Sequence, residues 1–177
     1  MENSLLASDT SLSTHWTSHR IQDTLAIYRP EFICVISASS SRNFTVAQVN
    51  VPLYPFTKPG HIDYITASMA SLIVAQMGYL HIRHLISDSA NPMLSDITDN
   101  DFLVSRDAGN IVFRKESLKY QRKAEVHETH RCVISSTHLH KSRTSRIGAY
   151  TIDIALGAIT GEGIIAMLLP EKKHGDR

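Results

Sequence analysis

At 177 residues, 42% hydrophobic and 20% charged, the chain is the size of one domain and can bury a sizeable core without metal or disulfide support. A formal net charge of +1 and an aromatic content of 7% argue against bulk electrostatic binding to nucleic acid and against a single-strand stacking platform. Two cysteines, Cys34 and Cys132, do not make a disulfide scaffold and fit a reducing, cytoplasmic location.

Residues 1–18 are rich in serine and threonine and lack the basic start and apolar core of a secretory signal. They are expected to form a flexible segment ahead of a single domain over 19–170, with 171–177 as a frayed tail. Ile21, Leu25 and Tyr28 recur at helical spacing and predict a short helix over 19–28. Glu31 to Ser39 is rich in β-branched residues and reads as a buried strand, and after the turn-forming SSSRN a second run, FTVAQVNVPLY, is expected to pair with it as a hairpin.

The stretch from Tyr54 to Ile86 organises the rest. It opens with prolines and a glycine, passes through His61, Asp63, Tyr64, Thr66 and Ser68, and then turns apolar. One long buried helix is predicted, beginning near residues 61–64 after Pro59 and Gly60, with Asp63 or Thr66 as its cap. Ala67, Ala70, Ser71, Ala75 and Gly78 let a curved sheet approach closely, while Met69, Leu72, Ile73, Met77 and Leu80 supply core contacts. The helix also carries Gln76, His81, Arg83 and His84, which is not the composition of a membrane span.

Ser87 to Asn100 has the turn chemistry of a surface connection. Beyond Asp101 the periodicity becomes extended, with strands expected over 111–120, 127–138, 146–156 and 162–169 and TGEG as a tight turn. In RIGAYTIDIAL the set Gly148, Tyr150, Ile152, Ile154 and Leu156 should line the apolar face, with Asp153 on the other. A curved antiparallel sheet wrapped round one long apolar helix buries both economically, which is the hot-dog arrangement of an α+β chain. Such a sheet leaves an open edge, so a homodimer or larger homo-oligomer is expected.

The chemistry-bearing residues cluster where the long helix begins. Free first-turn amides and the positive helix end suit a carbonyl oxygen that becomes negative, with amides near Tyr64 to Thr66 polarising it and His61 or Asp63 as the base. His61, Asp63 and Tyr64 are therefore the catalytic candidates, and a carboxylate beside an apolar groove is expected to have a raised pKa. Tyr54, Gly60, Thr66, Ser68 and Gln76 are candidates for substrate contact. Arg114, Lys115, Lys119, Arg122 and Lys123 form a basic run suited either to the phosphates of a carrier or its acidic surface, or to solvation of a strand end. His127, His130, His138 and His140 lack a Cys or close acidic partner at ligand spacing and read as surface histidines, so neither metal nor cofactor is called for.

The PGHID junction, the AQMGY segment of the helix, and IVFRKESLKYQRK followed by further strands resemble FcoT-type hot-dog proteins over residues 28–169. Gly60-His61 matches the family's Gly-His with Asp63 in place of its Asn, or His61-Ile62-Asp63 matches the preceding Tyr-Ile-x; Gln76 and Tyr79 match the later helix pair. Ala75 stands where the family has a helix Asn, and no Glu lies in the helix. The resemblance implies an enzyme of lipid or polyketide metabolism that hydrolyses a fatty acyl-CoA or acyl-carrier-protein thioester. A β-hydroxyacyl dehydratase is the alternative, and a non-catalytic acyl-binding or interaction module the third reading.

Overall fold

The computed structural model describes residues 14–51, 62–88 and 91–169. A seven-stranded, wholly antiparallel sheet holds β1 (Thr14–His15), β2 (Val35–Ser41), β3 (Phe44–Asn50), β4 (Ile111–Tyr120), β5 (Thr129–Lys141), β6 (Ser145–Ile154) and β7 (Ile159–Leu168). Their order is β1-β2-β3-β5-β6-β7-β4. The chain leaves β3, runs through the long helix α2 (Ala67–Ser87), returns at the far edge as β4, and fills the middle with the meander β5 to β7. One long helix against one antiparallel sheet in this order is the hot-dog fold. The short helices α1 (Ser18–Thr24) and α3 (Asp99–Asp107) flank α2.

Helix α2 starts at Ala67, later than the expected 61–64, because Asp63 to Ile65 are held in extended form against residues 124–126. Ile65 N–H donates to the Ala124 carbonyl at 2.8 Å and Val126 N–H to the Asp63 carbonyl at 3.1 Å. Thr66 is the cap that results. Most of α2 beyond its first turn is buried, Ala70, Ile73, Val74, Met77 and Leu80 completely. Gly78 sets how near the sheet can come: a Cβ there would stand 2.6 Å from Phe113 Cζ and 2.8 Å from Ile165 Cδ1.

Alternation assigns the concave face as expected on β6, where Arg146, Tyr150, Ile152 and Ile154 are buried. Leu156 departs from the pattern. It is 68% exposed, because the β6–β7 turn falls at Ala155 to Ala158 with Ala155, Leu156 and Gly157 at positive φ. TGEG, expected as the turn, lies within β7. Its glycines serve packing: a Cβ at Gly161 would lie 2.5 Å from Leu118 Cδ2, and one at Gly163 would collide with the Tyr150 hydroxyl and the Lys115 carbonyl.

Two irregularities matter for the site. A bulge between Phe113 and Lys115 makes Phe113 pair with Ile165, Lys115 with Ile164 and Glu116 with Gly163. Phe113 and Glu116 therefore both face α2. Helix α3 lies where a plain connection and then extended chain were expected. Its start is a capping box, with Asp101 N–H donating to Thr98 Oγ1 and Thr98 N–H to Asp101 Oδ2. Arg83, 5% exposed, fastens the three helices: it makes a bidentate pair with Asp99 at 2.7 Å, reaches Asp23 at 2.6 Å, and takes the Thr24 hydroxyl oxygen at 2.8 Å.

Candidate functional site

The entrance to α2 is built differently from the sequence expectation. Tyr54, Gly60 and His61 lie outside the described residues. Asp63 is exposed, and its Oδ2 accepts from Lys123 Nζ at 2.7 Å, while the same ammonium pairs with Glu125 at 3.1 Å. The hydrogen bond from Lys123 holds the Asp63 carboxyl below the usual range, the opposite of the rise expected beside an apolar groove. Tyr64 is 47% exposed and bridges to Glu125 through the backbone. The Thr66 hydroxyl oxygen accepts from Met69 N–H, and Ser68 is exposed on the first turn.

Other expected substrate contacts are already committed. Gln76 is wholly buried and joins α2 to the start of β2: its Oε1 accepts from Cys34 N–H at 2.8 Å and its Nε2 donates to the Phe32 carbonyl at 2.7 Å. Arg122 Nη2 donates to the carbonyls of Ala155 and Leu156, steadying the β6–β7 turn. Lys119, paired with Thr160, lies on the convex face of the sheet, away from α2. Arg114, at the bulge, makes no ion pair among the described residues. The basic run is thus divided among several surfaces.

A different set of groups converges on the concave face. Of the strand carboxylates, Asp153 and Glu162 face outward, and Glu116 faces α2. Its Oε1 accepts from the Ser71 hydroxyl at 2.5 Å, one turn beyond the start of the helix. Register places Tyr150, Gly163 and Glu116 in one cross-strand row. The Tyr150 ring reaches across Gly163, where the absence of a side chain leaves room for its hydroxyl.

Tyr150 is 2% exposed, and its hydroxyl is buried with no hydrogen-bond partner among the described residues. Such a group costs free energy unless something meets it. Burial, and then the Glu116 charge, push its pKa up, so the phenol stays a donor at all ordinary pH. Around it run aromatic contacts, Phe113 to Tyr150 at 6.4 Å and Tyr79 to Phe113 at 6.2 Å between centroids. An exposed carboxylate, a helix hydroxyl and a buried, unsatisfied phenol thus lie along one row on the concave face, near the positive end of α2. Such a set can take a proton from water and stabilise an oxygen that gains charge.

Sequence reasoning missed Ser71 as a polar group, Glu116 and Tyr150. Ser71 reads as a small helix residue, and only the bulge turns Glu116 inward.

No protein-family model and no curated protein matches the chain. Solved structures similar to it are thioesterase-superfamily proteins. Zebrafish thioesterase superfamily member 2 has 13% identity and a TM-score of 0.49, covering 88% of this chain and 99% of that one. A thioesterase from Haemophilus influenzae has 10% identity and a TM-score of 0.49, covering 78% and 81%. A hypothetical thioesterase from Streptococcus pneumoniae, solved with coenzyme A, has 12% identity and a TM-score of 0.44, covering 75% and 84%. At these identities the side chains of the site are read from this chain alone.

Proposed function

We propose that the protein hydrolyses acyl thioesters, with Glu116 as the general base. One observation carries the reading: Glu116 is the strand carboxylate turned to the concave face, hydrogen-bonded to Ser71 on α2 and in register with a buried, unsatisfied Tyr150. Ser71 orients the carboxylate, which takes a proton from a water as that water attacks the thioester carbon. The developing oxyanion is met by the Tyr150 hydroxyl or by the first-turn amides of α2, where the helix dipole is positive, and its collapse breaks the C–S bond, the departing thiolate taking the proton back from Glu116. Phe113, on which Tyr79 packs, lies against Tyr150 and keeps the phenol's side of the site apolar, which strengthens its hydrogen bond to the oxyanion.

The FcoT-type resemblance supports a fatty acyl group carried on coenzyme A or an acyl carrier protein, in lipid or polyketide metabolism and in the cytoplasm. Arg114, with no ion pair among the described residues, is a cation of β4 open to a carrier's phosphates. The edge strand β4 pairs with its copy in a homodimer, which encloses the Glu116 side of the recess. His61, Asp63 and Tyr64 at the helix entrance are the competing base and donors.

The test is product analysis with medium- and long-chain acyl-CoA and 3-hydroxyacyl-CoA, comparing wild type with Glu116→Gln, His61→Ala and Asp63→Ala. Glu116→Gln is expected to lower the rate of coenzyme A release about 100-fold or more. A wild-type rate in Glu116→Gln together with loss in His61→Ala or Asp63→Ala moves the centre to the helix entrance. Loss of water with the thioester intact makes the protein a dehydratase, and binding without turnover makes it an acyl-binding module.

A further inference from the structure

The concave face holds a small cavity of about 40 Å³. Tyr150 is a wall of it as well as a member of the Glu116 row, which register extends one strand further, to Ser136 on β5, another wall. The cavity therefore lies at the Ser136 end of the row, beyond Tyr150 from the carboxylate, and is the next enclosed apolar space that an acyl chain meets. It has room for about three atoms of such a chain, far fewer than a fatty acyl group carries. A longer chain enters only if a wall moves.

Most of the walls are fixed. Helix α2 supplies His81, Ile82 and Leu85, and the hydrogen-bonded strands β5, β6 and β7 supply all the rest but one among the described residues. His81, 2% exposed, is pinned by a chain of hydrogen bonds. Trp16 Nε1 donates to Ser40 Oγ at 2.8 Å, Ser40 Oγ lies 2.8 Å from Thr45 Oγ1, Thr45 Oγ1 3.1 Å from His81 Nδ1, and His81 Nε2 2.7 Å from Ser136 Oγ. Displacing helix or strand here would break a buried polar network.

The exception is Leu94, 5% exposed, on the turn segment between α2 and α3. Backbone bonds of that segment close on themselves: Leu94 N–H donates to the Asn91 carbonyl at 3.1 Å and Ile97 N–H to the Leu94 carbonyl at 3.0 Å. It is therefore able to move as a unit. Its polar ties to the sheet are few: Asp96 accepts from Arg146 Nη2 and pairs with Lys141 Nζ at 3.1 Å, and the Met93 carbonyl accepts from Arg146 Nε at 3.1 Å. Asp96 and Lys141 are both exposed, and Arg146 Nη1 also donates to the carbonyls of Ser142 and Ser145, so lifting the segment strands no charge. Leu94 would lose cover, which an incoming chain replaces with its own contact.

Building on the acyl-thioester reading above, we propose that Leu94 sets the length of acyl chain the protein accepts. Seated, it stops the pocket behind short chains; for a longer one it withdraws, as the 91–97 segment lifts from Arg146 and Lys141.

The test is calorimetric titration of the full chain with S-alkyl-coenzyme A thioethers from butyl to dodecyl, which cannot be hydrolysed, while NMR follows the Arg146 Nε–H signal. Butyl should bind with that signal unchanged, whereas dodecyl should bring it into exchange with solvent as its bond to Met93 opens. Asp96→Asn should tighten dodecyl about three- to fivefold and leave butyl as it was. Leu94→Ala should raise the chain length at which the Arg146 signal first responds by about three carbons, those that the substitution removes. Binding with a constant Arg146 signal at every length, or a length profile that neither substitution alters, would overturn the proposal and leave the thioester reading standing. Absence of binding at any length would overturn it too, and the coenzyme A release measured above would then judge the thioester reading on its own. Should Leu94→Ala fail to fold, the wild-type series and Asp96→Asn, at an exposed position, still decide it.

Discussion

Single residues fix the approach of helix and sheet. Gly78 was legible as a small residue on a packed helix, and the structure shows why nothing larger fits: Phe113 and Ile165 occupy the space of a Cβ. Alanine favours a helix over glycine by about 1 kcal/mol, yet overpacking at such a contact costs about 1–3 kcal/mol. Gly78→Ala should therefore lower the free energy of unfolding in urea rather than raise it. The candidate site around Glu116 was less legible. Ser71, Glu116 and Tyr150 are far apart in the chain, and the spacing of KESLKY assigns Glu116 to the face opposite Phe113 unless the bulge is known. The helix entrance is conspicuous because its polar residues are sequential, a local signal that says nothing of which side chains the sheet brings in from elsewhere.

At the scale of elements, alternation made the strands visible; β4 was expected at the residues where it is found. The turn between β6 and β7 was not, because glycine is the usual mark of a turn and here the glycines of TGEG make room for Tyr150 and Leu118. The true turn places Leu156 at φ 52°, on the surface. Leu156→Asn should stabilise the protein by about 1 kcal/mol, since asparagine tolerates that conformation better, and thermal unfolding would register it. Helix α3 escaped notice because it is short and polar, with Phe102 as its one fully buried apolar residue. Its anchor is Arg83. The acids that Arg83 holds are 39% and 46% exposed and return partly to water when it is removed, so Arg83→Leu should cost about 2 kcal/mol rather than the larger loss of a fully buried pair. Chemical denaturation would measure it.

Over the whole molecule, stability should depend on pH through the buried histidines. Burial, and then the neighbouring His84, lower the pKa of His81 from 6.5 to about 3, and burial lowers that of His84 as well. Between 6.5 and about 3 the unfolded chain binds more protons than the folded one. The stabilisation is therefore complete above pH 6.5 and declines as the pH falls toward 3. Denaturation midpoints followed downward from neutral pH should decrease, and His81→Gln should flatten that slope; a midpoint independent of pH would show that His81 does not stay neutral in the folded chain. The general architecture was readable because one long apolar stretch followed by alternating strands admits few compact arrangements. The polar chain through His81 was not, since its members come from four separate elements and the segment before α1.

The bulge in β4 decides the sign of a charge. Were the ladder to run on evenly from Phe113, the residue facing Gly163 would be Lys115, and an ammonium would stand beside Ser71 and Tyr150 in place of a carboxylate. Arg114 is the surplus residue that prevents this. Shortening the strand by that one residue would leave Glu116 where it is, whereas lengthening it by one, with no further bulge to absorb the addition, would bring Lys115 in and turn a proton acceptor into a cation.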